Sequence, residues 1–545
     1  MNRTASRHQA PSHRQDAGPL TGVRPLLRAT IRQDARNIAP WVVLTSVLSV
    51  SSILIYLWLF PDPADRIGLS ATLGANPALS LIFGPARDLM TDDGFNAWRA
   101  GQLGAFFAAL MAILIVVRNS RAHEDSGQAE LFASGVMARS ARLAVAVIMA
   151  ALASLALGVV SFTLTVLVGG GVLPTLILSA SYVASGLMFA GVAAVAAQLG
   201  ADSRAAASLA VAILGVLYVV RGYIDSAGLD PWVSWLTPLG WLAHTAPATE
   251  NNPWPLLLAL AFAVVLVLIA FGLENRRDFG RGLIAGRHGP ERAGLAGSVW
   301  GLAVQLHRGA LMSWGIAFVA LGVLFGTLIT AIGELIAGNP LIVEMFAGGK
   351  ADPSSLGFAF LIMLLELVAI IAAVAGVQIV MRIHAEEVDY RVEPLLAGSL
   401  RRATYLASNA VVAFLAPAGG MMLAGTALGI VAHRKEPAIA AGDIIAQSAA
   451  TIPAVWVLVA LALAAVGAKP SRRLIGWGGV VATFGLTVLG PTFKLPDWAL
   501  DISPLRHVPA VTSAVPDWSG MVWLLGIATV LTVVAFAGFR RRDVG

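Results

Sequence analysis

The sequence predicts an all-α polytopic membrane protein of twelve transmembrane helices, arranged as two fused parallel six-helix repeats. Three observations carry that expectation. Hydrophobic residues make up 57% of the 545 residues and mean hydropathy is +0.78, well outside the range of a soluble domain. Apolar runs long enough to cross a hydrocarbon core about 30 Å thick, roughly 20 residues each, recur twelve times. An internal similarity at near-constant spacing then divides those twelve runs into two sets of six.

The first six runs fall at about 39–60, 100–118, 143–168, 173–199, 205–224 and 254–272. The second six fall at about 312–335, 358–381, 404–430, 440–466, 474–490 and 520–538. Their length favours helices, because barrel strands would show segments of about ten residues alternating apolar and polar. Cysteine is absent, which excludes disulfides and thiolate metal sites. No cleavable signal peptide is expected, since the first run begins near Pro40 behind a long arginine-rich tail and suffices for a permanent span.

Orientation follows from the basic residues, which stay on the cytoplasmic side. With both termini inside, 28 of the 37 Lys and Arg residues fall on the cytoplasmic face. The stretch "HRKEP" at 433–437 runs against this and makes the boundary between spans nine and ten the weak point of the topology. The formal charge of +6 and pI near 9.9 are read as an orientation signal facing anionic lipid, with no bearing on nucleic acid. Arginine outnumbers lysine 33 to 4, a ratio that suggests a GC-rich bacterial source.

The internal similarity has three parts. "NPALSLIFG" from Asn76 returns as "NPLIVEMFA" from Asn339. "HEDSGQAELFASG" (123–135) returns as "EEVDYRVEPLLAG" (386–398) at the same spacing, pairing Glu124 with Glu387 and Glu130 with Glu393. "TPLG" (237–240) returns as "SPLR" (503–506) at nearly that spacing. Six spans per half is an even number, so the halves have the same orientation. The expected organisation is a basic tail over 1–21, a first half over 22–272, a cytoplasmic linker over 273–298 and a second half over 299–545.

Before the first span, Arg24, Arg28, Arg32 and Arg36 recur every four residues while Val23, Leu27, Ile31 and Ile38 follow helical spacing on another face. The pattern predicts an amphipathic interfacial helix; the plainer alternative is a basic tail that only fixes topology. Residues 299–311 are a weaker counterpart before span seven.

No P-loop is present, the nearest string being "AGGKAD" at 347–352, so ATP binding by this chain is not expected. HExxH and close histidine pairs are absent from the sequence, and no nucleophile, base and orienter grouping or metal site stands out. Glu366, in "LIMLLELVAII", is the clear charge inside a span. It is either a substrate, cation or proton contact or a neutral carboxyl bonded to a neighbouring helix.

The acidic stretch at 118–142 and its partner at 382–402 are both placed in the cytosol, one per half. A short helix such as 123–133 could seat in a cleft of a soluble motor subunit, its carboxylates meeting basic residues and Leu131 or Phe132 supplying apolar contact. The alternative is that the acids only balance Arg118, Arg121, Arg139 and Arg142. Recurrence at the repeat spacing favours docking.

"RAHEDSGQAELFASGVMARSARLA" resembles the loop after the second helix in membrane subunits of actinobacterial ABC exporters of the polyketide-antibiotic, or tetronasin, type, in which E-E/D-x-G-x-A-E-L is typical. That resemblance covers essentially the whole chain beyond its N-terminal basic tail. It implies an ABC-2, or type V, exporter fold with an elbow helix before each half, carrying Arg24, Arg28, Arg32 and Arg36 in the first. It implies two copies of a separately encoded ATPase, so that ATP and magnesium belong to those partners and no cofactor to this chain. By position, Glu124, Asp125, Gly127, Glu130 and Leu131 inherit the coupling role, and Glu386, Glu387 and Glu393 match in the second half. Arg391 in place of Gln128 and Pro394 in place of Leu131 depart from the pattern there.

Resemblance also points to helices two and five of each half as the pathway for hydrophobic antibiotics or drugs. Phe106, Phe107, Tyr218, Phe360, Met363, Glu366 and Phe484 are the candidate lining residues, since apolar clefts with few polar groups suit lipophilic ligands. Ordinary helix packing or lipid contact is the alternative for each. The competing function is a proton-driven twelve-helix drug transporter. In either case the expected location is the bacterial cytoplasmic membrane, with both termini cytoplasmic.

Overall fold

A computed structural model describes residues 22–74, 80, 82–125, 140–226, 229–277, 282–284, 294–338, 353–398, 400–489, 495–513 and 516–542. The "NPALSLIFG" and "NPLIVEMFA" pair therefore lies largely outside the described residues. The chain divides into two compact units, Met1–His288 and Gly289–Gly545. Among the described residues both are wholly helical, with no strand.

Unit 1 contains six long helices: α1 (Val23–Leu59), α2 (Asp92–Val117), α3 (Ala141–Leu167), α4 (Val172–Leu199), α5 (Ser203–Ser226) and α6 (Trp254–Glu274). α4 is the most buried and packs against α2, α3 and α6, while α1 packs against α3. Small residues make this possible, because without a hydrophobic drive between helices in lipid, close backbone approach must supply the packing. Gly104 of α2 accepts the Tyr182 ring where any Cβ would collide, and Gly186 of α4 does the same for the Ser154 hydroxyl. The contact is then fixed by hydrogen bonds across it: Tyr182 donates to the Ala100 carbonyl at 3.1 Å and Ser185 to the Ala105 carbonyl at 2.6 Å.

Unit 2 contains α7 (Val299–Gly338), α8 (Pro353–Val388), α9 (Arg402–Lys435), α10 (Ala441–Ala468), α11 (Leu474–Phe484) and α12 (Ser519–Arg541). α10 is its most buried helix and packs against α8, α9 and α12, while α7 packs against α9. The neighbours of each helix thus follow the same order in both units.

The expected interfacial helix is not a separate element. α1 runs unbroken from Val23 to Leu59, with Pro40 inside it, where proline removes one intrahelical N–H bond. Arg24, Arg28, Arg32 and Arg36 are exposed on its first turns, while Val23, Leu26, Leu27 and Ile38 pack on the core. Residues 299–311 likewise open the continuous α7.

Among the described residues eleven helices are long and apolar enough to cross a membrane, where the sequence predicted twelve. The missing one is the run at 474–490. There α11 has eleven residues and continues as a π-helical turn over Gly485–Leu489, a length of about 24 Å at 1.5 Å per residue. Gly476, Gly478, Gly479 and Gly485 crowd this run, each carrying the helix penalty of a residue with no side chain.

"HRKEP" also finds a local cause. His433, Arg434 and Lys435 form the last turn of α9, where cations meet the negative end of the helix dipole. "TPLG" and "SPLR" open short helices, Pro238–Ala243 and Pro504–His507. Thr237 accepts the Gly240 N–H at 3.1 Å, the expected pairing of an N-cap hydroxyl with proline in the first turn.

Candidate functional site

α2 does not end at Val117. A π-helical turn over Arg118–Ala122 and an α turn over His123–Asp125 continue it, and the extra residue in a π turn changes which face the following side chains occupy. Asn119 and Arg118 reach Asp34 on α1, at 2.8 Å to Oδ2 and 3.0 Å to Oδ1. Asp34 is buried in the midst of the arginine series.

Glu124 turns inward, its side chain 4% exposed. Arg277, three residues beyond α6, grips both carboxylate oxygens, with Nη2 2.6 Å from Oε1 and Nη1 2.8 Å from Oε2. Arg121 donates to Oε2 at 2.7 Å, and Arg142 at the start of α3 lies 3.6 Å from Oε1. Two of these arginines also reach further. Arg277 Nε donates to Gln198 Oε1 at 2.6 Å near the end of α4, and Arg121 Nη2 to the Ala201 carbonyl at 2.6 Å. Asp125 accepts the backbone N–H of Ser203 at 2.6 Å, at the positive end of α5. The two turns from Arg118 to Asp125 thereby join α1, α3, α4, α5 and the segment after α6.

Unit 2 repeats the central pair. Glu387 is held by Arg542, just past α12, with Nη2 2.7 Å from Oε1 and 2.8 Å from Oε2. Arg542 Nε donates to the Gly467 carbonyl at 3.0 Å near the end of α10, and its guanidinium lies 4.8 Å above the Phe539 ring. In both units the carboxylate at the end of the second helix is therefore bound to an arginine following the sixth, which also holds the end of the fourth. Charge-assisted arginine and carboxylate pairs of this kind are short, directional and stronger than neutral hydrogen bonds.

The remaining acids are placed differently. Glu386 pairs with Arg382 at 3.3 Å and Arg391 at 3.1 Å, and Arg391 also meets Asp389 at 2.9 Å. The arginine that departs from the motif is thus neutralised locally. Glu393 is exposed in the first turn of the helix Glu393–Leu396, with Pro394 in a first-turn position where a missing N–H costs nothing. Gly127, Glu130 and Leu131 lie outside the described residues. Asp34, Gln198, Arg277 and Arg542 were not singled out in the sequence; the two arginines had counted only as charge.

Of the pathway candidates, three come together. Phe106 meets Phe107 and Tyr218 edge to face, with centroids 5.7 and 5.1 Å apart, and the Tyr218 hydroxyl donates to the Ile82 carbonyl at 2.6 Å. In unit 2, Phe360 packs on a small core with Phe358 and Leu361, Met363 and Phe484 are exposed, and Glu366 is partly buried on α8.

The sequence profile of a family described as the C-terminal domain of the multidrug efflux system permease Rv1217c matches residues 68–273 and 297–540. The multidrug efflux system permease protein Rv1217c of Mycobacterium tuberculosis (strain ATCC 25618 / H37Rv) is 33% identical over 551 residues, covering 98% of this chain and 97% of the relative. The chain belongs to this family of multidrug efflux permeases. It is a multi-pass membrane protein of the transporter class, in line with the resemblance carried by its first acidic loop. Within the permease, Glu124 and Glu387 fall inside the matched segments, whereas Arg277 and Arg542 lie just beyond their ends.

Proposed function

We propose that this permease is the membrane subunit of an ATP-driven ABC exporter. It extrudes hydrophobic antibiotics or drugs from the cytoplasm or inner leaflet and is energised by two copies of a separately encoded ATPase. The observation that carries the reading is the duplicated clamp. Glu124 with Arg277, and Glu387 with Arg542, join the start of each acidic loop to the end of its unit. A force applied to either loop would be passed directly to the second, fourth and sixth helices. The relative's printed role in a multidrug efflux system supports the choice of substrate class.

In this reading α11 and its π turn make the twelfth crossing, the two units are parallel repeats, and both termini and both acidic loops face the cytosol of the bacterial inner membrane. Glu393, with Glu130 and Leu131, then meets the ATPase. Glu124 and Glu387 hold the docking elements in place from within.

The experiment is dye efflux in vesicles containing the permease with and without the proposed ABC ATPase. Transport that needs ATP and survives a protonophore is expected. Transport that persists without nucleotide and stops with the protonophore would reverse the assignment to a proton-driven carrier.

A further inference from the structure

At the end of unit 1 away from the clamp, α5 presents Tyr218, Arg221 and Asp225 on one face, spaced three and four residues apart. Arg221 is buried, with its side chain 4% exposed. Its Nε lies 2.6 Å from Asp225 Oδ2. Its Nη2 is packed on Gly84, whose φ of +86° and lack of a side chain both matter, because a Cβ there would sit 2.6 Å from that nitrogen. Nη1 has no hydrogen-bond acceptor among the described residues. An arginine cannot shed its charge to relieve this, and a buried donor left unmet is destabilising, more so when charged.

The Arg221 guanidinium forms part of the wall of a cavity of about 70 Å³ between α2, α4, α5 and the segment after Pro238–Ala243. Gln102 brings a buried amide to the same wall, with Ser181 and Thr245 beside it. The other charges there are engaged: Asp88 accepts from the Met90 N–H at 2.8 Å and the Thr91 hydroxyl at 2.7 Å, while Arg87 faces Glu250 at 3.9 Å. One helical turn further along α2 and α5 stand Phe106 and Tyr218 in edge-to-face contact.

We propose that this cavity is a carboxylate subsite, in which Arg221 and Gln102 bind the acidic head of an amphiphilic substrate whose apolar body lies along Phe106 and Tyr218. Size and charge select the ligand class. A single water needs about 10–15 Å³ of such space, so the cavity has room for a few heavy atoms. A carboxylate oxygen supplies the acceptor that the buried Nη1 lacks, at a guanidinium whose Nε already faces Asp225. The inference rests on the efflux reading only for calling the ligand a substrate; its test measures binding, which requires neither ATP nor a partner.

The test is equilibrium binding of radiolabelled dodecanoate and of dodecanol to the full-length permease in lipid nanodiscs. Dodecanoate is expected to bind saturably and about tenfold or more tighter than the alcohol, the difference made by one charge-assisted hydrogen bond. Arg221→Gln should remove that difference and Arg221→Lys should keep part of it. Gly101→Ala is the control for folding: it leaves Arg221 and Asp225 untouched, its new methyl meets only Leu178 at an ordinary 3.6 Å, and Gly101 lines the cavity. It should weaken dodecanoate several-fold and leave dodecanol unchanged. Equal binding of acid and alcohol, or dodecanoate binding unaffected by both Arg221→Gln and Gly101→Ala, would overturn the proposal and leave the cavity to water.

Discussion

Glu124 and Arg277 are far apart in sequence and meet at 2.6 Å, closing unit 1 between the end of its second helix and the segment after its sixth. Removing Glu124 leaves Arg277, Arg121 and Arg142 without their shared carboxylate, and an uncompensated buried charge costs about 3–5 kcal/mol. Glu124→Ala should destabilise unit 1 by that order and Arg277→Ala by less, since Arg121 still holds Glu124 at 2.7 Å. The double variant should lose less than the sum by about 1–3 kcal/mol, as expected of residues in direct contact. Denaturant titration of the four proteins measures the cycle, and strictly additive losses would show that the pair is not coupled.

α8 ends in a Schellman arrangement: the Arg391 N–H donates to the Glu386 carbonyl at 3.1 Å and the Tyr390 N–H to the Glu387 carbonyl at 3.0 Å. The residue at its turn, Tyr390, has φ 56°, a conformation that glycine adopts freely and other residues at a cost of about 1 kcal/mol. Its side chain is largely exposed, so little packing is lost on replacement. Tyr390→Gly should therefore stabilise unit 2 by up to about 1 kcal/mol, read as a higher thermal midpoint.

His244 closes the short helix Pro238–Ala243, its Nε2 2.6 Å from Ser234 Oγ and its ring stacked on Trp235 at 4.3 Å. Burial first, then the Arg87 charge, holds its pKa below the ordinary 6.5. The folded state thus favours neutral imidazole, and the unfolded chain takes up the proton at a higher pH. The stabilisation is complete above 6.5, declines as pH falls below that value, and is fully lost below the folded pKa. His244→Gln should flatten the stability profile between about pH 7 and 5. An unchanged slope would place the titration elsewhere.

The helices and their order were legible because each span needs about 20 apolar residues in succession, a signal contained in the local sequence. The run at 474–490 was legible too, and α11 with its π turn occupies it; the change to π geometry at Gly485 was not, because composition carries no trace of it. The first helix was divided in two for a related reason: Arg24 to Arg36 and the apolar run beyond Pro40 differ in composition while sharing one backbone. The second acidic loop announced Glu387 but not its direction. Whether a carboxylate faces solvent or an arginine depends on contacts between segments distant in sequence, and periodicity carries no trace of those. One signal was available. Arg277 and Arg542 follow the last helix of each half at nearly the spacing that pairs Glu124 with Glu387.

The central claim is that the clamps hold the loops through which a partner moves the helices. Its most direct test is efflux and ATP hydrolysis by the complex carrying Glu124→Gln together with Glu387→Gln, substitutions that preserve size and remove the charge gripped by Arg277 and Arg542. The account predicts that the variant still co-purifies with the proposed ATPase, which still hydrolyses ATP, while efflux falls by about tenfold or more, the equivalent of one charged hydrogen bond in each unit. Efflux at the parental rate with the complex intact would contradict it.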